Sequence, residues 1–404
     1  MRYVRVLATG LTVLTLLGSA ATTLAAADPG AVVPRAGPFV HPGLLHTEAD
    51  FARMKERVAK GDHPWIDGWW MLTKNPHAAT AWRPRPQVVV YRGSDHVHPE
   101  NYAALFNDAA AAYALALRWR VSGDDGFADA AVTILNAWAA TLTAIGGSSD
   151  RYLASGLYGY QLANAGEILR TYKNWQAPDR QRFQAMMLGI FYPMNHDFLT
   201  RHDGAKIDHY WSNWDLANMS SMLAIGVLVD RRDIYDEAIQ YFKTGAGNGS
   251  IEHAVWKVYP NGLGQLQESG RDQGHATLVV ALLGAFCQMA WNQGDDLFGY
   301  DDQRVLKGAE YAAKYNLGDD VPYTPYSNSD VTQATISSAG RGTIRPIWEL
   351  IYNHYVVLRG QHAPAVEKFA SKVRPEGGGG DYGPNSGGFD QLGYGTLTFT
   401  VRPD

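Results

Sequence analysis

The chain has 404 residues, of which 46% are hydrophobic, with a formal net charge of −5 and a single cysteine. This length and apolar content allow one large core, and one cysteine excludes an internal disulfide. The negative net charge argues against nucleic acid as a partner, but it leaves room for an acidic substrate, which needs only a locally basic cleft.

Residues 1–27 have the pattern of a secretory signal peptide. Arg2 and Arg5 precede an apolar run from Val6 to Leu17, and small residues end at Ala25–Ala27. We therefore expect cleavage near Ala25–Ala27 and a secreted, extracellular protein. No later stretch reaches 18 uncharged apolar residues, so we expect no interaction with a membrane.

Helical hairpins dominate the rest of the chain. Thr47, with Asp50 three residues later, predicts the capped start of the first helix. Pro and Gly mark most of the later breaks. The best strand candidate is Leu392–Val401, behind a Gly-rich segment.

The helices that carry unusual polar residues recur at a regular interval. They begin near Asn101, Ser155, Ser212 and Gly270, roughly 54 to 59 residues apart. Each is followed by a more ordinary amphipathic helix. This repetition predicts an all-α fold, either an open solenoid or a closed α/α toroid. Because the polar residues cluster near the starts of the inner helices, we favour the α/α toroid, an incomplete barrel of helical hairpins. We assign residues 28–375 to the toroid and residues 376–404 to a small irregular or β extension packed on it.

The first polar group lies in an Ala- and Gly-rich helix near residues 155–167. Tyr158, Gln161 and Asn164 are candidates for substrate contact. Structural hydrogen bonds to a neighbouring helix explain such amides equally well.

The segment DHYWSNWD (208–215) is a dense polar and aromatic entrance to an apolar helix. His209, Tyr210 and Asn213 are candidates for catalysis, and Trp214 is a candidate for substrate contact. The alternative interpretation makes Ser212 or Asn213 a helix N-cap and the aromatic residues loop packing.

The stretch from Gly262 to Ala290 combines a polar first half with an apolar helical second half. In helical register Glu268, Arg271 and His275 share one face. We expect Arg271 and His275 to be catalytic, and Glu268 and Gln273 to bind substrate. The alternative is a solvated first turn with a salt bridge.

Tyr326, in the loop YTPYSN (323–328), is a further candidate for substrate contact. The chain has no Gly-rich phosphate loop, no HExxH, no zinc-type Cys/His spacing and no G-x-S-x-G. We therefore expect neither a metal nor a cofactor.

Three segments, HYWSNWDLANMSSMLAIGV (209–227), GQLQESGRDQGHATLVVALLGAFCQMAWNQGDDLFGYD (264–301) and AKYNLGDDVPYTPY (313–326), resemble the alginate lyase-like superfamily of polysaccharide lyases. The resemblance is closest to polysaccharide lyase family 38, whose described substrates are polyuronates such as alginate and glucuronan. It implies an α/α toroid and β-elimination without a metal.

The family pattern also implies roles for single residues. In well-studied members an Asn-His pair opens one inner helix, and a later helix supplies an Arg and a Tyr seven residues apart. Asn213 matches the asparagine, but Trp214 stands where the histidine would be. Placing Arg271 on the later motif puts His275 at the tyrosine position and Glu268 at an arginine position. His209, Tyr210 or His275 must then take the missing roles.

The residue types suit β-elimination on a uronate, which removes the proton on C5 and expels the oxygen on C4. Asn213, Gln273, Arg271 or a protonated Glu268 would donate hydrogen bonds to the carboxylate as negative charge develops. A Tyr or His would serve as base and acid. One such group suffices for mannuronate or glucuronate, whereas guluronate needs two.

We therefore expect a secreted, monomeric polysaccharide lyase whose partner is an acidic 1,4-linked polysaccharide. Two alternatives remain. The first is an inverting glycoside hydrolase on the same toroid, using carboxylates from Asp215, Glu268 and Asp272. The second is a non-catalytic polyuronate-binding protein.

Overall fold

A computed structural model of the chain describes Met1, residues 37–382 and residues 389–402. The predicted signal peptide with its cleavage site at Ala25–Ala27 and part of the Gly-rich extension lie outside the described residues. The described helices are α1 (Glu48–Lys60), α2 (Trp65–Lys74), α3 (Ala103–Ser122), α4 (Asp125–Thr141), α5 (Arg151–Ile168), α6 (Ala177–Met186), α7 (Tyr192–Arg201), α8 (Ser212–Leu228), α9 (Arg232–Thr244), α10 (Ile251–Ala254), α11 (Gln273–Asn292), α12 (Tyr300–Asn316), α13 (Trp348–Tyr352), α14 (Pro364–Val373) and α15 (Gly395–Thr398). Short π-helical segments, Met187–Phe191 and Asn353–Leu358, follow α6 and α13.

The strands are two or three residues long. They are β1 (Val89–Tyr91), β2 (Ala144–Gly146), β3 (Lys257–Val258), β4 (Gly264–Gln265), β5 (Tyr326–Ser327) and β6 (Thr332–Gln333). The strand β1 pairs in parallel with β2, whereas β3–β4 and β5–β6 are antiparallel pairs.

Local sequence signals set several helix ends. The hydroxyl of Thr47 accepts a hydrogen bond from the backbone N–H of Asp50, and the Asp50 carboxylate accepts one from the Thr47 N–H, which confirms the predicted capping box. The turn between α3 and α4 uses Gly123 at a φ of 76°, where a side chain would be strained. Asp124 then caps α4 by accepting a hydrogen bond from the Gly126 N–H.

The helices divide into an inner and an outer layer. Every residue of α8 is buried, and so is nearly all of α5, because their apolar residues are spread around the helix instead of forming one stripe. Among the others, α9 and α14 have one apolar stripe each and expose their charged face. The sequence therefore separates inner from outer helices by the width of the apolar face.

Packing between neighbours produces the predicted α/α toroid. Around the inner layer α3 packs on α5, α5 on α8, α8 on α11, and α11 on α13. The return helices α4, α9, α12 and α14 lie outside α3, α8, α11 and α13 respectively, and α15, α2 and α1 link α13 back to α3. Because each inner helix is followed by an antiparallel return, the inner helices begin at the same end of the ring.

Helix α11 is long and apolar enough to cross a membrane, the one such case among the described residues. However, 78% of its most apolar 18-residue window is buried inside the protein. Its composition is that of a core helix at the centre of the inner layer.

The strand predicted at Leu392–Val401 is wrong. This segment contains the short helix α15, and Tyr394 before it has a φ of 59°. Thr396, Leu397 and Thr398 are all buried, so the apparent alternation of polar and apolar residues does not separate an inner face from an outer one.

Residues 389–391 of the C-terminal segment bind the toroid directly. The backbone carbonyls of Phe389 and Asp390 accept hydrogen bonds from Gln161 and Tyr160 of α5, at 2.7 and 2.8 Å. Gln391 accepts a hydrogen bond from the buried Arg345 at 2.7 Å. These contacts show how the described part of the extension packs on the toroid, and the boundary at residue 375 stays a prediction.

Candidate functional site

The N-terminus of α8 is capped by another part of the chain. Trp211 occupies the N-cap position without a side-chain cap, so the predicted capping by Ser212 or Asn213 is wrong. Instead, the Gln267 side-chain oxygen accepts from the Ser212 N–H at 3.1 Å, and the Glu268 carboxylate accepts from the Asn213 N–H at 2.9 Å. The backbone N–H groups at the start of α8 have no partner within the helix, and they hold the segment Gln267–Glu268 in place by donating to its side chains.

Glu268 joins two of the predicted site residues. Its Oε1 also accepts from the Ser212 hydroxyl at 3.0 Å and from the Asn213 side-chain amide at 2.7 Å, while Oε2 accepts from Arg271 Nη1 at 2.9 Å. The side chain is 0% exposed. Because donors converge on both oxygens, the carboxylate acts as an acceptor, and the expected hydrogen bond from a protonated Glu268 to substrate does not fit this geometry.

Arg271 lies at the surface of this cluster. Its side chain is 26% exposed, and its guanidinium carbon lies 4.8 Å from the centre of the Trp211 ring. Glu268 holds one edge of the guanidinium, and Asp272 lies 3.8 Å from Nε. Ion pairing and stacking therefore orient the group while leaving N–H donors accessible.

Asp272 and His275 form a second pair next to Arg271. Asp272 caps α11 by accepting from the His275 N–H at 2.8 Å, and its other oxygen lies 2.6 Å from His275 Nδ1. Although burial acts to raise the pKa of Asp272, the hydrogen bonds from His275 hold it below its usual value. The ionised Asp272 favours the His275 tautomer with the proton on Nδ1, which leaves the lone pair on Nε2. The His275 side chain is 39% exposed.

The helical register predicted for these residues is wrong, although the residues do meet. Because Asp272 is the N-cap, α11 begins at Gln273, and Glu268 and Arg271 lie in the turns before it. A continuous set of contacts nevertheless runs from Asn213 through Glu268, Arg271 and Asp272 to His275.

His209 forms a separate pair on the loop before α8. Its Nδ1 lies 2.7 Å from the Asp330 carboxylate, and its side chain is 44% exposed. The hydrogen bond from His209 lowers the pKa of Asp330. The side chain of Asp208 accepts hydrogen bonds from Ser329 and so holds the two loops together.

Tyr210 and Trp214 pack on one another rather than on Arg271. Their ring centres are 4.6 Å apart, and both rings lie against Phe198. Burial raises the pKa of the Tyr210 hydroxyl. Trp214 is buried against Phe198 and Tyr210, so the substrate contact predicted for it does not fit its position.

Most of the other predicted contact residues make structural hydrogen bonds. Gln273 binds the carbonyls of Ser269 and Ser337 and accepts from Asn316. Asn164 accepts from the backbone of Leu45. These two side chains and Gln161 are buried, so the predicted role in substrate contact does not fit them.

Tyr158 and Tyr326 are buried as well, but each is tied to a polar partner. The Tyr158 hydroxyl accepts from Arg92 Nη1 at 3.1 Å, and burial raises its pKa despite that cation. Tyr326 accepts from Gln267 at 3.2 Å, so it supports the segment that caps α8.

Two residues that the sequence did not single out contact predicted site residues: Trp211 lies under Arg271, and Arg92 donates to Tyr158. Arg92 follows β1 in a loop, and its guanidinium lies 5.0 Å from the centre of the Tyr102 ring. No periodic pattern marks a loop arginine, and its contact with Tyr158 depends on long-range packing. The WSN sequence did place Trp211 beside the predicted residues, but its contact with Arg271 is tertiary.

The carboxylates needed for a hydrolase are otherwise engaged. Asp215 is buried and accepts from the Tyr241 hydroxyl at 3.2 Å and from the Gly249 N–H at 2.9 Å, with His202 Nε2 at 3.1 Å. Glu268 is enclosed by donors, and Asp272 binds His275. No cluster of three or more metal-ligating His, Cys, Asp or Glu side chains occurs in the part of the chain that the structure describes.

Comparison with known proteins gives a consistent result. The family model described as alginate lyase matches residues 69–321. No curated protein matches the chain.

Three solved structures share the fold. An alginate lyase from Bacteroides ovatus is 13% identical with a TM-score of 0.61, and the match covers 90% of this chain and 100% of that one. Alginate lyase A1-III from Sphingomonas species A1 is 13% identical with a TM-score of 0.58 over 87% of this chain and 95% of that one. A variant of A1-III in complex with a tetrasaccharide is 14% identical with a TM-score of 0.55 over 84% and 95% of the two chains.

Proposed function

This chain belongs to the alginate lyase family and is a polysaccharide lyase, and from that premise we propose that its substrate is alginate or a related 1,4-linked polyuronate such as glucuronan. The observation that carries the proposal is the juxtaposition of Arg271, held by Glu268, with His275, held by Asp272. This pairing joins a fixed cation to a partly exposed imidazole, and β-elimination on a uronate requires both functions.

Arg271 is the group that neutralises the substrate carboxylate. The proton on C5 of a uronate is only weakly acidic, and its removal places negative charge on the adjoining carboxylate. A preorganised guanidinium stabilises that charge as it develops, an effect of about 3–4 kcal/mol for a good donor. Because the protein supplies this cation itself, we propose a reaction that needs no metal.

His275 is the base. Its Nε2 takes the C5 proton, the C–H electrons form the C4–C5 double bond, and the C4–O bond breaks with its electron pair on the leaving oxygen. Asp272 stabilises the resulting imidazolium, as a carboxylate does for a catalytic histidine in hydrolytic triads. For mannuronate and glucuronate, where H5 and O4 lie on the same side of the ring, the protonated His275 returns the proton to the leaving oxygen.

His209 is the second candidate acid. Its dyad with Asp330 lies on the loop that leads to Trp211, the ring beneath Arg271. A guluronate residue presents H5 and O4 on opposite faces and needs an acid distinct from the base. Cleavage of guluronate blocks that depends on His209 would assign it that role.

An ultraviolet assay tests the proposal. Incubation with polymannuronate, polyguluronate and glucuronan in the presence of a chelator should yield products with a C4–C5 double bond conjugated to the carboxylate, which absorb in the ultraviolet. New reducing ends without that absorbance would identify a hydrolase. Binding of polymer without any new ends would identify a non-catalytic protein.

We also propose that the protein is exported, because residues 1–27 have the pattern of a signal peptide. Mature protein recovered outside the cell should begin directly after one of the small residues Ala25–Ala27. Retention of residues 1–27 in the extracellular protein would contradict cleavage at this site.

A further inference from the structure

A cavity of about 570 Å³ lies between α12, α14 and the turn that joins β3 to β4. Its volume is typical of sites for small organic ligands. The cavity contains none of the residues that link Asn213 to His275. Its lining includes the side chains of Lys307, Lys314, Lys368, Leu306, Leu317 and Glu310.

The charges of the lining leave two ammonium groups available. Lys307 is paired with Asp302 at 2.5 Å. Lys314 and Lys368 form no ion pair with any residue that the structure describes.

The lining contains the carboxylates Glu310 and Asp319. Both Glu310 oxygens are engaged at the start of α14, where they accept from the Ala365 and Val366 N–H groups at 2.8 and 3.0 Å. Asp319 is exposed, and the cavity also contains the exposed His362. The helix amides thus offset the Glu310 charge within the cavity, so the unpaired Lys314 and Lys368 face one other carboxylate of the lining, Asp319.

The spacing of the lysines suits an extended ligand. Lys314 lies two turns along α12 from Lys307, roughly 10 Å along the helix axis, and Lys307 can bind the ligand only by exchanging its exposed partner Asp302 for a ligand carboxylate. Lys368 reaches the same cavity from α14, and Leu306, Leu317 and Leu263 supply apolar surface. A 1,4-linked uronate chain has matching features, because its pyranose rings have apolar C–H faces and its carboxylates recur along the edge.

We propose that this cavity binds a segment of an acidic polysaccharide outside the catalytic site and so retains the polymer on the protein between cleavage events. The choice of an acidic polysaccharide as the ligand rests on the proposed function. The cavity and its lysines are observed independently of that function. The binding energy comes from ammonium–carboxylate pairs at a partly exposed surface, so it weakens as salt concentration rises.

The test replaces the two unpaired lysines and keeps the rest of the protein. The variant Lys314→Gln/Lys368→Gln is compared with Lys55→Gln/Lys74→Gln, which removes the same charge from exposed lysines without an ion pair elsewhere on the surface. Thermal unfolding of both variants checks that they fold like the wild type. The substrates are polymannuronate and its tetrasaccharide, and we measure kcat and KM for each.

The cavity variant should raise KM for the polymer about 3- to 10-fold while leaving kcat and the tetrasaccharide kinetics unchanged. The control variant should match the wild type. An unchanged polymer KM in the cavity variant would overturn the inference. An equal rise in both variants would also overturn it, because the effect would then be one of net charge.

A binding experiment separates this inference from the proposed function. Titration of polymannuronate oligosaccharides into the Arg271→Ala protein, in which turnover should be strongly reduced, measures binding with and without the two lysine substitutions. If the wild type cleaves no polyuronate but lysine-dependent binding is present, the proposed function fails and the cavity assignment stands. If no lysine-dependent binding occurs, the cavity assignment fails whatever the activity of the wild type.

Discussion

Glu268 and Asp272 show how single carboxylates organise this site. Each accepts hydrogen bonds from the backbone of a helix N-terminus and from the side chain of a proposed functional residue. The N–H groups at a helix N-terminus lack partners within the helix, so both carboxylates are well placed to accept from them. Arg271 and His275 are consequently held by positions that the helix starts of α8 and α11 define.

Replacement of His275 tests the proposed base. We expect His275→Ala to lower kcat by a factor of about 10² to 10⁴, the usual contribution of a positioned general base. His63→Ala serves as a control, because His63 is exposed and also pairs with an aspartate. Steady-state kinetics on polymannuronate check the prediction, and an unchanged kcat in His275→Ala would remove this residue from the chemistry.

Asp272→Asn isolates the orienting role of the carboxylate. Asparagine is as good an N-cap as aspartate, so α11 should keep its stability. The neutral amide no longer stabilises the imidazolium and no longer fixes the proton on Nδ1, and kcat should therefore fall at least tenfold. Wild-type turnover in this variant, with unchanged thermal stability, would mean that His275 does not act through Asp272.

Arg271 should contribute to both binding and rate. We expect Arg271→Ala to lower kcat/KM by a factor of about 10² to 10³ as the transition-state donor is lost. Arg271→Lys should recover only part of this, because an ammonium group has no planar face to stack on Trp211. Full activity in Arg271→Ala would contradict its assignment to the carboxylate.

Between elements, the close approach of α5 and α8 sets the position of the site. A Cβ at Gly156 would lie 2.8 Å from the backbone of Ala217 and of Asn218, closer than atoms pack in proteins. The two helices can therefore meet only because this position has no side chain. Their spacing determines where α8 presents Ser212 and Asn213 to Glu268.

Gly156→Ala should separate these helices. We expect a loss of about 1–3 kcal/mol in the free energy of unfolding, the usual cost of overpacking a core. The control is Gly189→Ala, because a Cβ there would have no atom within 4 Å. Denaturant unfolding of both variants checks the prediction, and equal stability of the two would contradict the proposed role of the contact.

Over the whole molecule, ring closure buries a pair of carboxyl groups where α13 meets the end of the chain. Glu376 accepts from the backbone N–H groups of Trp348 and Glu349 at 2.6 and 3.0 Å, while the Glu349 side chain binds Arg374. Burial, and then the neighbouring charge of Glu349, raise the pKa of Glu376 to about 8. The folded protein therefore binds a proton that the unfolded chain releases at lower pH.

This proton makes stability depend on pH. The pKa of Glu376 is higher in the folded protein than its ordinary value of 4.5. The stability that the bound proton contributes is therefore full below pH 4.5 and is lost as the pH rises through about 8. Between these limits the free energy of unfolding should fall by up to about 1.4 kcal/mol per pH unit. Denaturant unfolding at several pH values measures this slope, and Glu376→Gln, which keeps the acceptor oxygen, should flatten it. The same slope in both proteins would contradict the assignment.

Much of the fold followed from local patterns. The capped start at Thr47, the turn at Gly123–Asp124 and the recurring apolar helices each depend on neighbours within a few turns. Where the prediction failed, as at Leu392–Val401, the segment is buried on every side, and a two-sided pattern of polarity carries no information there.

For the candidate site, too, local patterns were predictable and long-range contacts were not. Its residue types were visible in the sequence, because Asn213, Arg271 and His275 occur in polar segments beside apolar helices. The hydrogen-bond partners of the predicted residues could not be identified from the sequence. The assignment of Gln273, Gln161 and Asn164 to structural hydrogen bonds depends on which helix lies opposite each amide, and one sequence without its packing does not contain that information.

The amino-acid sequence by itself therefore determined a ring of helical hairpins and the segments that carry polar chemistry, since apolar periodicity and capping act over short distances. The tertiary structure alone decided that Glu268 caps α8 from a distant segment, that Trp211 lies under Arg271, and that the end of the chain enters the core. These contacts join residues far apart in sequence, and they exist only once the inner helices have packed closely enough to exclude water from the charges between them.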